Sequence, residues 1–215
     1  MIIFEFKQIL LIFILKKSVS FKTIFLYFIN DFTGYRSKKQ IDKLKGLIYR
    51  RGKEMITEFS LEKANEYLQR AYKLQMEGNL EEAIKNYKLS IEFHPTAEAH
   101  TFLGWTYSFL GKLDIAIDEC KKAIDIDPEY GNPYNDIGSY LIQQGNYDEA
   151  ITWLDLALKS KRYESYHFAH LNMGRALELK GLWFEALAEY KKAIELEPKY
   201  EIAKKLYYNL LAKTN

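Results

Sequence analysis

From residue 64 to residue 213 apolar positions return in helical steps, and the steps are broken at regular places. His100, Leu103, Gly104 and Tyr107 recur at i, i+3, i+4 and i+7, which predicts a helix that Gly111 stops. Leu113, Ala116, Ile117, Cys120, Ala123 and Ile124 form a second stripe of the same period. Pro128 ends that stripe, because proline lacks an amide donor and crowds the preceding turn. Glycine suits the stop between them, since it accepts the left-handed conformation at a helix C-terminus. The unit is therefore an antiparallel pair of helices joined by a short turn.

The same unit is written four times. Gly78–Ala83–Pro95, Gly111–Ala116–Pro128, Gly145–Ala150 with Arg162 where proline would fall, and Gly181–Ala186–Pro198 keep one grammar. Their glycines are 33, 34 and 36 residues apart, a period that predicts stacked supersecondary units rather than a single layered core. Small residues mark the helix crossings: Ala71, Gly104, Gly138 and Gly174 in the first helices, Ala83, Ala116, Ala150 and Ala186 in the second. A glycine inside a helix costs roughly 1 kcal/mol against alanine, so three in one register predict close helix approach. Tyr87, Cys120, Leu154 and Tyr190 share a register and fill the space between. A two-residue insertion near Ser165–Tyr166 accompanies the lost proline and predicts a longer turn there. Ile202, Ala203, Leu206 and Leu210 predict a last helix covering the final repeat, as a solenoid end requires.

The pattern His100-x2-Leu103-Gly104-x2-Tyr107, then Ala116-x3-Cys120, then Pro128 resembles the tetratricopeptide repeat family. The third copy repeats it with Tyr134, Ile137, Gly138, Leu141, Ala150 and Leu154, and the fourth with His170, Met173, Gly174, Leu177, Ala186, Tyr190 and Pro198. A looser first copy has Tyr67, Arg70, Ala71, Leu74, Ala83, Tyr87 and Pro95. The resemblance implies an all-α tetratricopeptide solenoid with repeats at 64–96, 97–130, 131–164 and 167–200 and a capping helix at 201–213. It also implies a non-enzymatic adaptor that holds a protein or peptide along its first helices.

Carried over position by position, the family's contact residues fall on Asn65, Leu68, Tyr72, Gln75 and Met76 in the first repeat. They fall on Glu98, Thr101, Trp105, Ser108 and Phe109 in the second, and on Asn132, Asn135, Ser139, Ile142 and Gln143 in the third. The fourth contributes Phe168, Leu171, Arg175, Glu178 and Leu179. Aromatic and arginine side chains are the types enriched at binding hot spots. Packing between repeats is the alternative use for each of these aromatics. Family members that grip a terminal carboxylate use a lysine and an asparagine on one first helix. The matching positions here are Leu68 and Tyr72, and Thr101 and Trp105, which lack the cation. Self-association through the repeat ends or the Tyr207–Tyr208 edge is a second reading.

Composition separates residues 1–54 from the rest. They hold no alanine, proline, tryptophan, histidine or cysteine, whereas sixteen alanines follow Glu54. Twelve basic and four acidic residues give them a charge of +8, against −6 for the nineteen basic and twenty-five acidic residues after them. Their residue types have A/T-rich codons, and Arg50-Arg51-Gly52-Lys53-Glu54 reads as a translated purine-rich ribosome-binding site ahead of Met55. We expect translation to start naturally at Met55. The alternative is a membrane-associating segment in residues 1–29, which would make the protein a membrane-tethered assembly factor, although the apolar runs Ile9–Leu15 and Ile24–Ile29 fall short of the roughly 20 residues a span needs. No secretory cleavage pattern follows them. The expected compartment is cytoplasmic, or a membrane surface if residues 1–29 associate with one.

Candidate chemistry adds little. Cys120, the lone cysteine, sits in a packing register, and no base adjoins it in sequence to activate a thiolate. His167 and His170 stand three apart, but no further cluster completes a metal site, and His100 and His170 occupy the large-aromatic position of their repeats, where packing accounts for them. Phosphate-loop, G-x-S-x-G and H-E-x-x-H patterns are absent. A net-acidic repeat region disfavours nucleic acid, whose phosphates call for a basic stripe. No cofactor and no enzymatic activity are expected.

Overall fold

Gly78, Gly111, Gly145 and Gly181 all adopt positive φ, at 80°, 69°, 82° and 79°, and each turns one helix back on the next. At every such turn the amide following the glycine bonds a carbonyl five residues back: Asn79 to Leu74 at 2.9 Å, Lys112 to Tyr107 at 3.1 Å, Asn146 to Leu141 and Leu182 to Leu177 at 2.9 Å each. This is the glycine-terminated helix end that satisfies orphan carbonyls, built four times.

The computed structural model describes residues 38–214. The chain divides into two units, Met1–Glu58 and Phe59–Asn215. The described part of the first is helical from Lys38, and the second is wholly built from helices and their turns. In order they are α1 (Lys38–Met76), α2 (Leu80–Phe93), α3 (Ala97–Phe109), α4 (Leu113–Ile126), α5 (Asn132–Gln143), α6 (Tyr147–Lys159), α7 (Tyr166–Leu179), α8 (Trp183–Leu196) and α9 (Glu201–Thr214). The fold is an all-α solenoid of four helix pairs and a final helix.

Each pair closes on a small residue. A Cβ added at Gly138 would lie 2.6 Å from Leu154, one at Gly174 2.5 Å from Tyr190, and one at Gly104 2.9 Å from the Ala116 carbonyl. The facing side chains Tyr87, Cys120, Leu154 and Tyr190 are all fully buried. Ala71, Ala83, Ala116, Ala150 and Ala186 are equally sealed, so the crossings leave no room for a larger residue. Polar bonds supplement the first pair, where the Tyr87 hydroxyl donates to Gln75 Oε1 at 2.7 Å and Ser90 Oγ to the Ala64 carbonyl at 2.7 Å.

Neighbouring pairs are joined at their turns. Gln144 Nε2 donates to Asp114 at 2.8 Å, and one repeat later Lys180 pairs with Asp148. The junction with the missing proline is tied differently. The Arg162 amide donates to the Glu129 carbonyl at 2.8 Å, the Gly131 amide to the Arg162 carbonyl at 3.1 Å, and Tyr130 and Arg162 form an isolated parallel bridge. The Arg162 guanidinium pairs with Asp127 and, at 2.8 Å, with Glu98, while lying 5.1 Å from the centre of the Tyr130 ring. Tyr163 beside it is buried against Gly131, where any Cβ would collide with it. The longer turn expected near Ser165 thus carries an isolated bridge that ties the end of the third repeat back to the second.

The last helix buries Ala203 and Leu210 in a cluster with Tyr190, Ala193 and Ala186. Tyr208, thirty-four residues after Gly174, stands where the repeat step would place another glycine, and it is exposed.

Candidate functional site

Besides touching their partners in the same pair, α3 meets α5 and α5 meets α7, so these first helices line a common face. An aromatic run crosses from the first repeat into the second. Tyr72 and Phe102 have ring centres 5.6 Å apart, Phe102 and Trp105 6.5 Å, and Trp105 and Phe109 5.2 Å. Tyr72 and Phe109 stay exposed and Trp105 is half-buried. At the other end Phe168 is exposed and meets Tyr200 edge-on at 5.5 Å.

Between these aromatic ends lies a polar ladder. Arg175 donates to Asn172 Oδ1 at 3.3 Å, Asn172 Nδ2 to Asn135 Oδ1 at 3.1 Å, and Asn135 Nδ2 to Asp136 Oδ1 at 3.4 Å. Asn132, Asn135, Ser139 and Arg175 are half-buried, so each keeps surface for another molecule.

Three of the residues implied by the resemblance are otherwise committed. Gln75 is 3% exposed and sits between helices, its Oε1 accepting from Tyr87 and, at 3.0 Å, from Thr106. Thr101 is also 3% exposed and its hydroxyl bonds the Ala97 carbonyl at 2.7 Å, as a helical threonine does when turned inward. Glu178 is half-buried and accepts from the Tyr190 hydroxyl at 2.8 Å and from Lys213 at 3.4 Å. The correction for Gln75 and Thr101 is that they belong to the helix interface and not to the open face. Leu171 and Ile142 are buried as well.

Asp136, one residue beyond Asn135, is the group that reading by register missed. Burial pushes its carboxyl up to about 7, against a small opposing effect from Asn135. Tyr130 is raised to about 12, mainly by burial, with the charges of Glu98 and Asp136 adding to it. Cys120 is sealed in the core, and burial raises its thiol well above the ordinary range, which suits packing and not nucleophilic chemistry.

The two histidines at the aromatic position do more than pack. His100 Nδ1 meets Glu119 Oε2 at 2.7 Å, and Lys122 reaches the other oxygen at 2.7 Å. Seventy residues on, His170 meets Glu189 at 2.6 Å and Lys192 completes the set at 2.7 Å. Burial alone would raise both carboxyls, but the bonds from histidine and lysine outweigh it and hold Glu119 and Glu189 below the usual carboxylate range. The matched His–Glu–Lys spacing was the sequence signal for these pairs. Among the described residues no group of His, Cys, Asp or Glu is arranged to hold a metal ion. Among them, too, no helix is long and apolar enough to cross a membrane, while residues 1–29 lie outside the described part.

Sequence comparison matches residues 97–130 and, in a shifted frame, 119–152 to the tetratricopeptide repeat. A curated relative, the small glutamine-rich tetratricopeptide repeat-containing protein 2 of Mycosarcoma maydis, is 33% identical over 96 residues, 41% of this chain. The chain spans only 27% of that relative's length. Among solved structures, Pseudomonas aeruginosa PilF superposes with a TM-score of 0.67 at 23% identity, over 71% of this chain and 69% of PilF. The first repeat domain of Spaghetti (RPAP3), solved bound to the HSP90 peptide SRMEEVD, superposes with a TM-score of 0.51 at 26% identity, over 55% of this chain and 92% of that one.

Proposed function

The chain belongs to the tetratricopeptide repeat family, and from that premise we propose that it is a non-enzymatic adaptor holding an extended or helical segment of another protein along its first helices. Repeats of this family are protein–protein interaction modules, and the similar RPAP3 domain was solved with a peptide bound. The observation that carries the reading is the open face itself. Exposed Tyr72, Phe109 and Phe168 and half-buried Trp105 flank the Arg175–Asn172–Asn135 ladder, which offers apolar anchors beside amide and guanidinium groups. Such anchors set affinity, and the polar groups between them set orientation. The partner is a protein or peptide; neither nucleic acid nor a cofactor enters the reading.

Affinity capture from native lysate tests it, comparing the wild-type chain with a Trp105→Ala/Asn135→Ala double mutant of unchanged helicity. A protein retained by the wild type and lost by the mutant is the expected result. Equal retention by both baits would move the site off this face.

A second reading is self-association at the repeat end. Phe184 is 77% exposed where earlier repeats carry Asp114 and Asp148, the acids that bond the next turn. Trp183 and Tyr208 are exposed as well. A mass that rises with concentration and falls back on Phe184→Asp would favour it.

A further inference from the structure

The polar ladder ends in a carboxylate without a cation. Among the described residues no lysine, arginine or histidine pairs with Asp136, whose one side-chain bond is the long one from Asn135. The arginines of these repeats have other partners: Arg162 has Glu98 and Asp127, and Arg175 has Asn172. Behind the carboxylate are two more unmet groups. The hydroxyls of Tyr140 and Tyr163 are buried without a hydrogen-bond partner, in residues that are each 3% exposed. Ser108 approaches the first and the Ala169 backbone the second without reaching bonding geometry. Both hydroxyls feel the charge of Asp136, after burial the largest influence on each.

An unpaired, partly desolvated carboxylate is costly, and an incoming cation relieves that cost. Asp136 as a residue is half-buried and not sealed. A cation there would leave Arg175, at the far end of the ladder, to face a carbonyl or carboxylate of the same partner. A flexible basic side chain fits the setting, since ammonium and guanidinium groups only donate and a carboxylate only accepts.

We propose that the segment held on this face carries a lysine or arginine whose charged head pairs with Asp136, making this residue the specificity determinant of the groove. The inference rests on the adaptor reading and names the chemistry of its partner. An acidic side chain at that position is excluded by like-charge repulsion.

The probes are four pools of degenerate nonapeptides with the central residue fixed as lysine, arginine, norleucine or glutamate. They are titrated at pH 8 against the full chain, Asp136→Asn, and the Trp105→Ala/Asn135→Ala double mutant. The wild type should retain the lysine and arginine pools roughly fivefold better than the norleucine pool, as a charge-assisted contact allows. Asp136→Asn, with circular dichroism unchanged, should erase that difference and keep the norleucine level. Retention that depends on Trp105 and Asn135 but ignores the central charge would overturn the Asp136 inference and leave the adaptor reading standing. A basic preference that survives in Asp136→Asn would also overturn it. If no pool is retained through the groove residues, both readings fall. Self-association of the wild type that Asp136→Asn abolishes would assign the carboxylate to a second copy of the chain, against the proposal.

Discussion

Repeats two and four close the crossing of their helices with a polar set, His100–Glu119–Lys122 and His170–Glu189–Lys192. Repeat three closes the same crossing with rings: Tyr134 and Trp153 have centres 5.9 Å apart, and Leu156 stands where the lysine would be. The backbone step is the same, and so is the glycine one turn on, at Gly104, Gly138 and Gly174. One geometry therefore tolerates two chemistries at its rim because the fixed requirement lies deeper, where the small residues meet. The rim decides what the repeat responds to. The His–Glu–Lys crossings are expected to respond to pH more than the ring pair, in which Trp153 Nε1 donates to the exposed Glu149 at 3.3 Å.

Three substitutions sharpen this contrast. Trp153→Ala should have the largest effect, about 2–3 kcal/mol lost on truncating a half-buried ring with an aromatic partner, and its cost should differ little between pH 4 and pH 8, because the indole's bond to Glu149 is long and exposed. Denaturant melts at the two values check both statements. Glu119→Ala should cost about 1–3 kcal/mol at pH 7, since it strands a buried imidazole. Its pH dependence has a definite sign. The folded Glu119 carboxyl titrates below its ordinary value of 4.5, so the stability it adds is present above that value and lost as pH falls through the lowered one. The gap between wild type and Glu119→Ala should then narrow in acid, whereas the Trp153→Ala gap should not. Lys122→Ala should be nearly silent, a few tenths of a kcal/mol, because that lysine is about half exposed and its ion pair is screened. A large loss there, or an acid-insensitive Glu119→Ala, would break the distinction between the two kinds of crossing.

Most of the fold was legible because its determinants are local and repeated. The turn glycines, the small residues at the crossings and the register of Tyr87, Cys120, Leu154 and Tyr190 each depend on neighbours a fixed step away. The candidate site was legible in outline only. Register places Gln75 and Thr101 toward the open face, yet both are buried in the helix interface, where they bond Tyr87 and Ala97. Arg162 was visible as a missing proline, but its bond to Glu98 spans 64 residues and no periodicity encodes it. Asp136 escaped notice because its significance lies in what surrounds it, the unpartnered hydroxyls of Tyr140 and Tyr163, and burial of that kind is a tertiary property. The expected membrane-associating segment, residues 1–29, and the first part of the 1–54 extension lie outside the described residues.

The most direct test is hydroxyl-radical footprinting of the chain with its captured partner. Tyr72, Trp105, Phe109 and Phe168 on the first helices should be protected, while Trp183, Phe184 and Tyr208 at the repeat end should label as in the free chain. Protection of the second group with the first unchanged would contradict the groove and place binding at the end of the stack.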